Sequence, residues 1–597
     1  MRDPKIILDI LSKRSINNLE LNNIYPLLYK EGLYELAFNE LHTQKYEITE
    51  QIHTKIQSII NDLKHERFKW FKYDLKSSYK IGTFNLHMNI NEWNNILLQK
   101  VLYLILNSIY EPKFLECSHG WRLSKGINTA LQRIEQKSHA CEFFMQSDII
   151  NCFESIDYNI LLNIIKKTIK DNRFINLLER MFKNNCFGKD LNNSKTYSGV
   201  IKSFSLSTLL MNIYLNELDT FIQDNLMTKY HNNLKRKESK EYRSIRGKIS
   251  NEQKKLKRPF PRMSKEESLN RLKIWRKQLR NMRFIEGINI TESRRLCYIR
   301  YGNSFLLSFT GPFKEAIEIN NLIKEFVNTY LHLQCSESIN KVFISLSNRK
   351  PVRFLNYNII TQWDNAHVVN HKRSLNGSIT FMIPNDVIYA KKRNYTKNNK
   401  PIHLGRCLAS PVFDIISLYQ SDFINFCQYY KFARNQTKLT LIKYIMETSL
   451  TKTLSNKLKI SVHKVYKKYS SFKIVNGYKY KVISDSLIDN NGNKHVIFFG
   501  AIPFKKQPFS STNIEDIIHN VFYSRSSFES KVKGDNTCIL CNTNTNIQLH
   551  HLNHIKNICK NSKFIKRLSS LKRKVIPLCK DCHILIHKGL YDKDRLS

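Results

Sequence analysis

A chain of 597 residues is too long for one hydrophobic core, so three or four domains are expected, and its 42% hydrophobic and 11% aromatic content excludes a disordered protein. It carries 96 Lys+Arg against 50 Asp+Glu, a net charge of +46, which excludes an acidic or charge-neutral surface. An AT-rich genome would enrich Lys, Asn, Ile, Tyr and Phe but also Glu, so the excess points to a polyanionic partner, nucleic acid before acidic membrane.

Residues 1–115 read as helical, with 3.6-residue patterns over 19–41 and 93–110, the latter stopping at Glu111-Pro112. The loop Ser118-His119-Gly120-Trp121-Arg122 follows, then a helix through 127–134. The apolar run from Glu142 to Ser147 predicts a strand ending at Asp148, a candidate metal-binding carboxylate or a plain turn and cap residue. Helices are predicted from Tyr158 to about Lys170, over 174–183, and from Ser207 onward after a loop beginning at Gly199. Leu296-Cys297-Tyr298-Ile299, Tyr301-Gly302-Asn303-Ser304 and Phe305-Leu306-Leu307 read as strand, tight turn, strand. In a polymerase palm such a turn carries two carboxylates that hold two metal ions with a third from a neighbouring strand; here it offers an amide and a hydroxyl.

The order of Asp148-Ile149, of Leu206-Ser207-x-Leu209-Leu210-x-Asn212-Ile213-Tyr214-Leu215, of Tyr298-x-Arg300-Tyr301 and of Arg353-Phe354-Leu355-x-Tyr357 resembles the proteins encoded inside group II introns, reverse transcriptases that double as splicing maturases. The resemblance implies Asp148 as the first catalytic carboxylate and Phe153 as the gate against a ribose 2′-hydroxyl. It aligns residues 118–122 with a Ser-His-Gly-Phe-Arg stretch, Trp121 replacing Phe. The departures fall on the chemistry. The family turn Tyr-Ala-Asp-Asp is replaced by neutral Asn303 and Ser304, poor ligands for a hard divalent ion. The family Gly-Thr-Pro-Gln-Gly-Gly loop aligns with Gly199-Val200-Ile201-Lys202-Ser203-Phe204, where Lys202 and Phe204 stand at degenerate positions and Phe204 should block close backbone approach. The strand expected to grip a triphosphate, Gly82-Thr83-Phe84-Asn85-Leu86-His87, has no Arg or Lys. RNA-directed DNA polymerisation is therefore expected to be lost.

Residues 229–283 form a basic insertion containing Lys235, Arg236, Lys237, Lys254, Lys255, Lys257 and Arg258, with Tyr242 and Trp275 between; it reads as a solvated helical face, a loop or an RNA-phosphate grip. Residues 363–480 carry apolar positions at helical spacing between Lys431, Arg434, Lys457, Lys459, Lys467 and Lys468, which fits amphipathic core helices with one basic face. Their sequence resembles the thumb/maturase domain of the same intron proteins, which contacts intron RNA.

The tail holds Cys538-Ile539-Leu540-Cys541, Leu549-His550-His551-Leu552, Leu578-Cys579-Lys580-Asp581-Cys582-His583 and His587. Two Cys-x-x-Cys pairs can close a tetrahedral thiolate site, and His583 and His587 share one helix face. Nine further cysteines stand singly, so a reduced compartment with one metal site is expected rather than a disulfide framework. The tail is similar to an HNH nuclease, a ββα-metal module. That resemblance implies structural Zn²⁺ at Cys538, Cys541, Cys579 and Cys582, a catalytic Mg²⁺ or other divalent ion at His550, His583 and His587, and His551 as general base. The middle Asn of that motif has no evident occupant before Cys579, a departure from the resemblance.

The expected class is α+β multidomain: helical N-terminal/fingers region 1–115, degenerate palm 116–362, thumb/maturase domain 363–480, connector with a candidate DNA-binding role 481–527, and zinc-binding HNH module 528–597. The expected function is intron-RNA binding that assists splicing, with DNA cleavage at a target site for intron mobility. The alternatives are a DNA homing endonuclease first and foremost, or a still-active reverse transcriptase. Partners are intron RNA and target-site DNA, with a homodimer in the ribonucleoprotein allowed for and no membrane partner. No apolar run approaches the roughly 20 residues of a membrane span. Met1-Arg2-Asp3-Pro4-Lys5 lacks a signal-peptide core and Asp3, Asp9 and Glu20 argue against a transit peptide, so the protein is expected to work where it is made. An organelle genome, plastid or mitochondrial, is expected before a bacterium.

Overall fold

The computed structural model describes residues 3–41, 50–71, 90–153, 155–184, 205–232, 240–256, 265–281, 294–336, 342–344, 351–362, 368–369, 372–373, 377–408, 410–475, 477–488, 494–504, 540–541, 543, 547–551 and 575–587. These form two compact units, one built chiefly of Met1–Thr380 and the other of Phe381–Thr512 with Ile517–Ser597.

The first unit begins with helices whose apolar stripes are one-sided. Glu50–Lys64 buries Ile52, Ile56, Ile59, Ile60 and Leu63, positions at 3.6-residue spacing, and packs into the large core of this unit. The helix Ile90–Tyr110 is apolar enough to be buried along most of its length. The continuous helical reading of 19–41 is corrected. Pro26 lacks an N–H, so Tyr25–Tyr29 is a short 3₁₀ turn, and the α-helix is Glu31–Leu41. The backbone N–H groups of Ile24 and Tyr25 instead reach the Asp171 carboxylate at 2.9 and 2.7 Å. That same carboxylate caps Asn172–Lys183.

At the centre lies a mixed sheet made of β1 (Ser118–His119), β2 (Phe143–Ile150), β3 (Arg295–Tyr301), β4 (Ser304–Thr310), β5 (Gln334–Cys335) and β6 (Val342–Ile344). Its order is β1-β3-β4-β2-β5, with β6 also pairing with β2. β3 and β4 are a tight hairpin with Tyr301 opposite Ser304, and β2 runs antiparallel to β4. Tyr158–Thr168, Ser205–Phe221 and Phe313–Thr329 contribute buried apolar residues to the same core as the sheet. The basic insertion, open between face and loop in the sequence, contains two helices, Lys240–Leu256 and Lys265–Asn281. They pack on each other, burying Ile249 and Leu272, and the Ser268 hydroxyl donates to buried Glu252 at 3.2 Å.

The second unit carries helices Val412–Tyr429, Lys438–Leu458 and Val462–Tyr469, followed by an antiparallel meander of Ser470–Val475, Tyr478–Ile488 and Lys494–Phe499. The helical domain expected to reach 480 thus gives way to sheet at Ser470, and the boundary falls inside a strand. The alternation Tyr478-Lys479-Tyr480-Lys481-Val482 and Gly477 at φ +80° are the local cause. Nearer the C-terminus, Ile547–His551 pairs antiparallel with Val575–Cys579, and the helix Lys580–His587 follows directly. Among the described residues no helix is long and apolar enough to cross a membrane.

Candidate functional site

The hairpin turn is held from behind by a buried polar cluster. Arg300 and Asp219 are fully buried and paired, with Arg300 Nη2 2.7 Å and Nε 2.8 Å from the two carboxylate oxygens of Asp219. The Tyr298 hydroxyl donates to Asp219 at 2.7 Å. Burial, then the Asp219 charge, pushes that hydroxyl well above its ordinary range, so it stays a donor. The remaining guanidinium N–H groups reach Asn212 Oδ1 (3.0 Å), the Gly302 carbonyl (2.9 Å) and Ser118 Oγ (2.6 Å). Asn212 in turn donates to the Gly120 carbonyl at 3.2 Å. One ion pair therefore ties the helix Ser205–Phe221, the 118–122 loop and the hairpin together with its polar atoms satisfied, the condition for a buried charge to be tolerated.

In front, Gly302 has φ +58°, and a Cβ there would lie 2.8 Å from Trp121 Cη2. Trp121 meets Phe153 edge to face at 5.2 Å between centroids. The indole thus occupies the space that glycine leaves, which ties the Phe-to-Trp and Ala-to-Gly departures to one another. His119 hydrogen-bonds Thr129 Oγ1 at 3.0 Å, and burial, with Lys125 and Arg133 nearby, pushes its pKa down to about 3. It is a neutral structural group.

Asp148 stands opposite Ser304 in the β2–β4 register, so the geometry brings one carboxylate to the turn. Asn303 faces the end of β2 in both directions: its Nδ2 donates to the Ile149 carbonyl at 3.0 Å and its own carbonyl accepts from the Ile149 N–H at 3.0 Å. Where the resemblance leads one to expect an anion, the chain has a neutral clasp. Among the described residues, Asp148 belongs to no cluster of three or more metal-ligating side chains. Lys202 and Phe204 lie outside the described residues.

Of the basic candidates, Lys254 and Lys255 are exposed on the insertion, whereas Lys235, Arg236, Lys237, Lys257 and Arg258 lie outside the described residues. Arg434, Lys459, Lys467 and Lys468 are exposed, and Lys431 lies 5.0 Å over the Phe432 ring. Lys457 is different: it donates to the Leu408 carbonyl at 2.7 Å, and burial lowers its pKa. It acts as an internal tie, not part of an outward basic face.

In the tail the structure brings together Cys541, Cys579 and Cys582, with sulfurs all within 4.8 Å of one another. The Cys582 N–H points at Cys579 Sγ (3.4 Å), and this bond, foremost, holds the Cys579 thiol below its ordinary pKa. A convergent trio with one thiol biased toward thiolate suits zinc. Cys538 lies outside the described residues. His550 and His551 sit on Ile547–His551, opposite Ile576 and Val575, and His583 and His587 one turn apart on Lys580–His587. The backbone order is strand, strand, helix.

Two features escaped the sequence reading. Asp219 is one, although it stands seven residues after Asn212 on the helix Ser205–Phe221 and so shares that residue's face. The meander at 470–499 is the other, although Asn476-Gly477 between alternating residues is a hairpin signal.

Residues 374–513 match the type II intron maturase family. Over 98% of its length the chain is 28% identical to the group II intron-encoded protein LtrA of Lactococcus lactis subsp. cremoris, whose whole length is covered. It is 27% identical over 97% of its length to an uncharacterized 91 kDa protein in a cob intron of Schizosaccharomyces pombe, covering 72% of that protein. Over 44% of its length it is 28% identical to the mitochondrial protein ymf11 of Marchantia polymorpha, covering 32% of that protein.

Proposed function

We propose that this chain, which belongs to the family of group II intron-encoded proteins, is a splicing maturase. It binds its folded intron RNA and steadies the fold in which the RNA carries out its own transesterification. Its reverse-transcriptase domain does not polymerise. The observation that carries the second part is the clasp at the turn: Asn303 gives its amide to the Ile149 carbonyl, and Asp148 faces Ser304. A lone carboxylate cannot hold the ion pair that stabilises an attacking 3′-oxygen and a leaving pyrophosphate. The RNA that co-purifies with the full chain, once sequenced, identifies the intron. At physiological salt that intron should then bind more tightly than an unrelated structured RNA of equal length; parity would remove the maturase reading. Complementary DNA built on a primed template by contaminant-free protein would remove the other half.

A second activity is favoured by the tail. The strand-strand-helix order and the thiol trio support a ββα-metal module in which Cys538, Cys541, Cys579 and Cys582 would hold structural zinc. His550, His583 and His587 would hold a second divalent ion, which when bound would stabilise charge on a scissile DNA phosphate, and His551 would take a proton from the attacking water. Metal-dependent nicking of plasmid DNA by the intact chain and by His551→Ala tests this: equal cutting by both removes the enzyme claim. An organelle-encoded origin is the reading we favour, on composition and on a mitochondrial relative.

A further inference from the structure

Two helices of the first unit bring ligating side chains of unlike chemistry to one spot. Glu31 and Glu35 stand one turn apart on Glu31–Leu41, and His53 stands near the start of Glu50–Lys64. One ligand atom from each, two carboxylate oxygens and an imidazole nitrogen, all lie within 4.8 Å of one another. Neighbours in the chain hold them in place: Tyr34 and Phe38 on one helix and Ile52 and Ile56 on the other are buried in the core. His53 Nδ1 lies 2.9 Å from Glu31 Oε1, and the Gln57 amide donates to Glu31 Oε2 at 2.9 Å. Both oxygens of Glu31 are thus oriented from the facing helix.

Helix stability does not ask for this arrangement. Two carboxylates at i and i+4 repel each other and weaken a bare helix, and a single imidazole, even protonated, offsets one of them. A divalent ion among the three reverses the sign. They stand beside an open cleft of about 480 Å³ whose walls carry Glu50 and Asp62 and, among the described residues, no Lys or Arg. On a chain of net charge +46 the local sign is inverted, so a cation is drawn in where a phosphate is repelled. The cleft also leaves room for water at positions the protein does not fill, the pattern of zinc bound by three side chains. Among the described residues the one other such cluster is the thiol trio of the tail.

We infer that Glu31, Glu35 and His53 form a metal site of their own, which takes a borderline divalent ion of the zinc class and ties the helices Glu31–Leu41 and Glu50–Lys64 together. The imidazole decides the class: magnesium and calcium favour oxygen ligands, whereas zinc, cobalt and nickel accept nitrogen beside carboxylate. Gln57 is a positioning residue, since it fixes the second oxygen of Glu31. The site is independent both of the maturase reading and of zinc in the tail.

The test uses the full chain dialysed against micromolar Zn²⁺, with bound metal counted per chain by inductively coupled plasma mass spectrometry. His53→Ala and Glu35→Gln should each hold about one zinc ion fewer than the native chain. Glu35→His, which keeps a ligand and drops the charge, should hold the native count. Cys579→Ser loses its ion from the tail, so Cys579→Ser/His53→Ala should lose both, and either site can fail without the other. Amide exchange is the second readout: zinc should slow exchange over 31–35 and 52–57 in the native chain and in Glu35→His, and magnesium should not. Native counts in His53→Ala and Glu35→Gln overturn the site, as does slowing by magnesium equal to that by zinc. Loss of the ion from Glu35→His overturns ligation in favour of plain charge attraction. Glu35→Gln is nearly isosteric, so in chelator it should melt with the native chain; a count lost only where that temperature also falls overturns the site, the loss being one of fold.

Discussion

The hairpin of the first unit and the tail of the second are the two places where the resemblances put metal ions, and the chain differs at them: neutral side chains at the hairpin turn, convergent thiols in the tail. At the hairpin the turn holds neutral Asn303 and Ser304, with Asn303 bonded to the end of β2 and the buried Arg300–Asp219 pair behind. At the tail the thiols converge, and among the described residues the apolar cluster around them consists of Leu578, Cys579 and Cys582, with Leu540 and Ile586 packed alongside. The hairpin, by contrast, is continuous with a core that includes Tyr298, Phe305 and Leu307. A site embedded in a large core can lose its ion and keep its shape. One whose core is a few side chains has the ion as part of its folding free energy.

The largest expected effect follows from that contrast. Stripping metal with a strong chelator, or making Cys579→Ser, should unfold the 540–587 module and leave the sheet around Tyr298 intact. Structural zinc sites in small domains supply on the order of 10 kcal/mol of apparent folding free energy. Amide exchange resolves the two regions: protection at Leu578 should vanish, and protection at Tyr298 should persist. Acid should act in the same direction. The Cys579 thiol is held below its ordinary pKa, so its contribution is fully present above the ordinary thiol value of about 8.5 and is lost as pH falls through the lowered one. Protection at Leu578 that survives chelation would end the contrast.

The next effect tests the frame behind the hairpin. Arg300→Met leaves Asp219 buried without its cation, and breaking a buried pair this way costs about 3–5 kcal/mol. Chemical denaturation of the first unit should show that loss. Tyr298→Phe removes a single bond to Asp219 and should cost about 1–2 kcal/mol. If Arg300→Met were no worse than Tyr298→Phe, the pair would not be what holds the turn.

What could be read from the residues, and what could not, divides along similar lines. The β3–β4 hairpin, the helices after Asp148 and the approach of Cys541 to Cys579 and Cys582 were readable because local periodicity, turn chemistry and Cys spacing are properties of adjacent residues. The pairing of Arg300 with Asp219 was not, because it joins residues far apart in the chain and no local pattern announces it. Pro26 interrupts an otherwise helical stretch, and only its missing N–H explains the 3₁₀ turn. Lys457 looked like part of a basic face because charge alone does not tell a lysine bonded to a carbonyl from one in water. The Gly302–Trp121 contact shows two departures from the family pattern acting as one change, which is visible only once both are in space.

An effect smaller than that of Arg300→Met is the most specific probe of the hairpin. Asn303→Asp puts back the charge that the resemblance calls for, and it removes the amide that donates to the Ile149 carbonyl at 3.0 Å. The new carboxylate would face a carbonyl oxygen with Asp148 nearby on β2, so its folded pKa should rise above the unfolded value of about 3.9. The sign then follows: stability relative to the native chain is nearly unchanged below that unfolded value and falls as pH rises through the raised one. At neutral pH the loss should be about 1–3 kcal/mol, the cost of an unsatisfied partly buried acceptor. Asn303→Ala loses the same bond without adding charge, so its deficit should be flat across that pH range. Millimolar magnesium should narrow the gap for Asn303→Asp alone, since only that variant sets a second carboxylate beside Asp148. Denaturation curves of the two variants between acid and neutral pH, with and without magnesium, decide it. Equal, pH-independent losses in both would mean that the turn is indifferent to charge, and that the neutral clasp is not what distinguishes this hairpin from the thiol site in the tail.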